Sequence, residues 1–197
     1  MKTTNVKLSE NEMELVQDST VILTKNRVIE KVYVLFGEVS YTVQLQLESK
    51  KAIHSFLNIS PKIYKGEQYL QLPYALLDYP RYFTKQDVFA IRCFFWWGNF
   101  FSISACLKGV YLEKNLPALL HKRHELIQQE WMVYLGKDEW VQDFAKEDYA
   151  MFAHITDSQL ADLPFLRLSK KIPLQKWDEA IDFFEINYNV LLGILMP

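Results

Sequence analysis

Apolar side chains occupy every odd position from Phe89 to Phe95 and again from Phe101 to Leu107, on either side of Trp97-Gly98-Asn99. Alternation of this kind marks strands with one buried face, because successive strand side chains point to opposite faces of a sheet. Residues paired across a hairpin share a face, so the two odd sets fall together only if the loop has an odd number of residues. A three-residue loop of Trp97, Gly98 and Asn99 satisfies this and sets Phe95 against Phe101, Cys93 against Ile103 and Arg92 against Ser104. One face is then core throughout. The even face becomes an aromatic-walled surface that holds Arg92 beside Ser102 and Ser104. Thr84-Lys85-Gln86-Asp87 has the form of a helix-capping box, so a helix in place of the first strand is the alternative.

Elsewhere the pattern alternates between helical and extended periods. Ser9-Glu10-Asn11-Glu12 is a capping box and opens a helix running to about Thr24. A second helix follows from about Asn26, with Ile29, Val32 and Phe36 on one face. Residues 38–48 fit two structures: Val39, Tyr41, Val43, Leu45 and Leu47 alternate as in a strand, while Val39, Val43 and Leu47 also continue the preceding helical face. Pro61, Gly66, Pro73 and Pro80 punctuate a loop-rich stretch from Ile59 to Tyr82, leaving room for a short strand near Tyr74 to Asp78.

Asn115 is a good cap for a helix over Leu116 to Glu130 with Pro117 in its first turn. Trp131 to Leu135 reads as a strand closed by Gly136, Asp138 to Phe152 as a helix, and Phe165 to Ile172 as a strand ending at Pro173. The last helix, Leu174 to Leu195, spaces Leu174, Trp177, Ile181, Phe184, Tyr188, Leu191 and Leu195 by threes and fours, with Phe183, Ile186, Val190 and Ile194 on another face. A helix apolar on two faces is buried on both, either inside the core or as a homodimer seam. These elements predict an α+β fold in a single domain over 1–197, a small antiparallel sheet built around the 88–107 hairpin and packed against several α-helices.

Composition narrows the function classes. With 197 residues, half of them hydrophobic and 23% charged, the chain has enough apolar surface to build a core without disulfides. A formal charge of -2 argues against nucleic acid as the partner, since phosphate binding needs clustered positive charge. Residues 1–130 carry 16 basic and 13 acidic side chains, whereas 131–197 carry 6 and 11. The N-terminus, Met1-Lys2-Thr3-Thr4-Asn5, has no apolar run behind its lysine, which predicts no secretory signal and a cytoplasmic protein. Cys93 and Cys106 point to opposite faces of the hairpin and read as reduced thiols. Val88 to Leu107 is long enough to span a membrane, but Arg92, Asn99, Ser102 and Ser104 interrupt it, so no membrane partner is expected.

Few residues suggest chemistry. A guanidinium among Phe94, Trp96 and Phe100 needs a carboxylate, a phosphate or a stacking partner, so Arg92 can anchor an anionic ligand or close an internal ion pair. Ser102 and Ser104 would add hydroxyl donors. Tyr79, Arg81 and Tyr82, set around Pro80 just before the hairpin, can line a cleft, and Trp96 is a further surface aromatic able to contact a ligand. His121 and His124 share a helix face and with a carboxylate would bind a metal, but their spacing matches no zinc motif. The six isolated glycines form no phosphate loop, and no serine sits in a nucleophile elbow. Asp138-Glu139 and Glu147-Asp148 read as a solvated acidic face. The sequence thus calls for no cofactor and no metal, and leaves catalysis undecided. It favours a non-enzymatic interaction or regulatory domain with a protein partner, including a homodimer through the C-terminal helix. The alternative is a small-molecule protein with an anionic ligand in a cleft near Arg92, Tyr79 and Arg81. A metal-assisted enzyme ranks below both.

Overall fold

The computed structural model describes residues 6–49, 59–144 and 148–196. Its centre is a seven-stranded antiparallel sheet with the order β1-β2-β3-β4-β7-β5-β6. The strands are β1 (Lys62–Tyr69), β2 (Leu72–Phe83), β3 (Val88–Trp96), β4 (Phe100–Lys108), β5 (Met132–Tyr134), β6 (Tyr149–Met151) and β7 (Phe165–Pro173). The helices are α1 (Glu10–Gln17), α2 (Ser19–Ser49), α3 (Val110–His121), α4 (Arg123–Gln128), α5 (Asp157–Ala161) and α6 (Ala180–Leu195). The fold is α+β, with the 88–107 hairpin at the middle of the sheet.

The hairpin register is the one its alternation predicts: Phe95 pairs with Phe101, Cys93 with Ile103 and Arg92 with Ser104. The Thr84 hydroxyl does accept from the Asp87 backbone N–H at 2.9 Å, but this bond shapes a turn into β3 rather than a helix. The odd face meets α2 and α6 in the main core, where Phe89, Ile91, Cys93, Phe95, Phe101 and Ile103 are buried. Phe101 packs edge-on against Phe184 of α6, which in turn meets Phe36 of α2. Cys93 and Cys106 are free thiols on opposite faces.

Residues 38–48 are helical, and Val39, Val43 and Leu47 extend the buried face begun by Ile29, Val32 and Phe36. The strand alternative fails because β pairing would have broken that continuous face. The first helix stops at Asp18 rather than at Thr24: Asp18 caps the restart by accepting from the Thr20 N–H and hydroxyl at 2.8 and 2.6 Å. The capping box at Ser9 and Glu12 forms as expected.

Four expectations need correction. The stretch read as loop-rich contains two long strands, since Pro73 lies near the start of β2 and Pro80 at a bulge between Asp78 and Arg81, where no ladder N–H is needed. The helix placed behind Asn115 starts at Val110, with Asn115 inside it donating to the Tyr111 carbonyl at 2.8 Å, and it breaks at Lys122. Residues 138–144 are not helical and 149–151 form β6; Glu147 lies outside the described residues. The final helix opens as a 3-10 segment, Leu174–Glu179, before α6. α6 is buried through Phe184, Tyr188, Leu191 and Leu195, while Ile186 on its second face is exposed.

The even face of the hairpin is not a surface. Residues 138–144 cross over it, and Phe94, Trp96 and Phe100 form a second core with Leu76, Tyr134, Phe144 and Tyr149. No helix among the described residues is long and apolar enough to cross a membrane.

Candidate functional site: an aromatic cleft over two buried arginines

Sheet register lines up one polar row beneath the crossing segment. Lys62 pairs with Asp78, Asp78 with Arg92, Arg92 with Ser104, Ser104 with Ser169, and Ser169 with Met132. Cross-strand partners share a face, so all these side chains point toward the side of the sheet that residues 138–144 cover. Arg92 donates from Nε and Nη2 to the two carboxylate oxygens of Asp78 at 2.7 and 2.8 Å, a bidentate pair with both side chains buried. Burial works against the charge of Arg92, but the hydrogen bonds and field of Asp78 outweigh it and raise its pKa. The Trp140 ring covers the guanidinium at 5.5 Å. The Ser104 and Ser169 hydroxyls bond each other at 2.8 Å.

Arg167 sits one register step away, opposite Cys106 on β7, and is only 2% exposed. Its guanidinium lies 5.6 Å from the Tyr134 ring centroid. With the Gln142 amide turned to satisfy its neighbours, the amide oxygen accepts from Arg167 Nη1 and Nη2 at 3.2 and 3.3 Å. Nε has no hydrogen-bond partner, and no carboxylate pairs with Arg167 among the described residues. The fully buried charged side chains among the described residues are Asp78, Arg92 and Arg167, and of these only Arg167 lacks an ion-pair partner among the described residues. Buried donors without partners gather here too: Trp96 Nε1 and Ser102 Oγ lie on the same sheet face. Burial pushes the Tyr149 phenol up to about 12, against the field of Arg167.

Above this layer opens a cleft of about 390 Å³. Tyr64, Tyr69, Tyr74, Phe94 and Trp140 form its walls, and Arg92 and Gln142 contribute its main polar atoms, with Asp138 at the lining as well. Tyr69 braces the wall, standing edge-on to Tyr74, Phe94 and Trp96 and accepting from the Gln142 backbone N–H at 2.6 Å. A separate cavity of about 20 Å³, room for one water molecule, touches both Arg92 and Arg167. Comparison of the chain with protein families, with curated proteins and with solved structures finds no match. The site therefore stands on its own geometry.

The residues singled out from the sequence divide into groups. Arg92 lines the cleft; Trp96, Ser102 and Ser104 lie on the same face beneath the crossing segment. Tyr79 points the other way, into the main core, where its carbonyl accepts from the Tyr188 hydroxyl at 2.8 Å. Arg81 follows the β2 bulge at the rim and donates to the Ser60 carbonyl at 3.3 Å. His121 and His124 fall on two helices separated by Lys122, so the shared helix face is lost. No group of three or more metal-ligating side chains occurs among the described residues. Sequence reasoning missed Asp78 as the partner of Arg92, Arg167, and the tyrosines of β1 and β2. Only Arg167 left a signal: it alternates with Leu166 and Leu168 in the same strand.

Proposed function

We propose that the protein is a small-molecule binding module whose ligand is an anion with a flat or ring-shaped body, received in the aromatic cleft. The buried guanidinium of Arg167, without an ion-pair partner among the described residues and next to a cleft walled by five aromatic rings, carries this reading. A neutral Arg92–Asp78 pair alone would not favour an anion. A second buried guanidinium without a carboxylate does, because a charge in low dielectric is stabilised by a counter-ion. The rings supply stacking area and exclude water, while Gln142 connects the cleft to Arg167.

The test is thermal unfolding of the tag-free protein with benzoate, phenyl phosphate and a nucleoside monophosphate, each against its uncharged analogue and against sulfate. A ring-bearing anion at a hundredfold excess over Kd adds about 2.7 kcal/mol, a rise of roughly 5–10 °C for a chain of this size. Arg167→Gln should abolish that preference for the anion, and Trp140→Ala should weaken binding of the ring. Equal shifts from charged and uncharged analogues, or anion shifts unchanged in Arg167→Gln, refute the assignment.

A further inference from the structure

α2 has a second face that the described residues leave uncovered. Its inner face is core, from Ile29 to Leu47. On the outer face Arg27, Lys31, Val34, Glu38, Tyr41 and Leu45 recur at intervals of four, three, four, three and four residues, and all six are exposed. Val34 is 62%, Tyr41 64% and Leu45 49% exposed. Alternation of threes and fours is the spacing of a coiled-coil seam, and here it sets three apolar side chains, Val34, Tyr41 and Leu45, in one exposed line flanked by charges. Beside this seam runs a groove of about 520 Å³ whose apolar wall is Val34, Leu35, Trp177 and Ile181.

We propose that a second copy of this chain covers this face, with the two α2 helices antiparallel across a two-fold axis near the middle of the seam. Charge points to this occupant. The seam carries Arg27 and Lys31 in its first half, with Glu30 on its flank lining the same groove, and Glu38 in its second. Neither Lys31 nor Glu38 has an ion-pair partner among the described residues, and Arg27 donates a hydrogen bond to the Thr24 hydroxyl. Antiparallel pairing brings Lys31 within reach of the other copy's Glu38, twice by symmetry, and lays Arg27 along the apolar Leu45 end. Parallel pairing would set like charges together. Gly37 flanks the seam beside Glu38, and a Cβ there would meet open space, so nothing within the chain fills that side of the contact. The groove extends the contact to Trp177 and Ile181 at the start of the C-terminal helical segment.

Sedimentation velocity of the full chain from micromolar to sub-millimolar concentration tests this. The expected species is a dimer. Lys31→Glu and Glu38→Lys should each raise its dissociation constant by about tenfold or more, and the charge-swapped double variant should restore it. Gly37→Leu should give a monomer with an unchanged circular dichroism spectrum, since nothing within the chain obstructs the new side chain. A monomer at every concentration overturns the proposal, as does a dimer that ignores Lys31→Glu or is not recovered in the double variant.

Discussion

Removal of Asp78 should be among the most damaging single changes in the protein. Asp78→Ala leaves Arg92 buried beneath Trp140 with both of its strong hydrogen bonds lost. At an effective dielectric of 20, charges roughly 4 Å apart attract by about 4 kcal/mol. Breaking such a pair from one side costs about 3–5 kcal/mol, because the orphaned ion keeps its desolvation penalty. For a chain of this length that corresponds to a fall of roughly 6–20 °C in Tm. Arg92→Met should cost a similar amount by stranding the carboxylate. The double variant Asp78→Ala/Arg92→Met removes both charges and should recover most of the loss, since apolar replacement of a buried pair is often neutral. Urea titrations of the four proteins give the coupling energy directly. Single-variant losses below about 1 kcal/mol that simply add in the double would show that the pair is solvated in solution, and would refute the buried-layer reasoning.

Tyrosine titration offers a second check. The folded-state pKa of Tyr149 lies above its unfolded value, so its contribution to stability is complete below pH 10 and is lost as the pH rises toward about 12. Absorbance at the phenolate band should show Tyr149 still protonated at pH 11 in the native protein, with unfolding advancing above that pH; Tyr149→Phe should remove part of this dependence. Thiol reactivity should be just as selective. Burial raises the Cys93 pKa far above its usual range, so a native-state thiol reagent should spare Cys93 and modify only the half-buried Cys106. Gly109→Ala should cost at least about 1–3 kcal/mol in chemical denaturation, because the residue has φ +59° and a new Cβ would strike Asp87. Gly98→Ala, with similar φ but open space, should cost less.

What was legible in the sequence is what local periodicity determines. The hairpin register follows from eight odd apolar positions and the parity of one loop, and β7 and the buried face of α6 from comparable alternation. Residues 38–48 satisfied both periods because Tyr41 and Leu45, which make the strand pattern, are the exposed residues of a helix. The candidate site was less legible, since it depends on what covers the sheet. Arg92, Ser102 and Ser104 look like surface residues until the irregular segment 138–144 brings Trp140, Gln142 and Phe144 over them. That segment's acidic and aromatic residues imitate a helix, and no short-range pattern announces a chain that folds back across a sheet. The pairing of Asp78 with Arg92 depends on a bulge at Pro80, and the charge of Arg167 matters only once its strand is inserted beside β4.

That insertion sets the order in which the sheet can close during synthesis. β1 to β4 are adjacent in both sequence and sheet, so they can zip together as soon as residue 108 has been made. The next strand of the sheet is β7, so the open edge of β4 must wait for residues 165–173, while β5 and β6 remain without the neighbour that ties them to the sheet. Until then the nascent chain displays an unpaired apolar edge with a row of free backbone donors and acceptors. Loss of the last strand through truncation or a ribosomal stall would therefore do more than trim the fold: it would leave its central edge open to any passing strand.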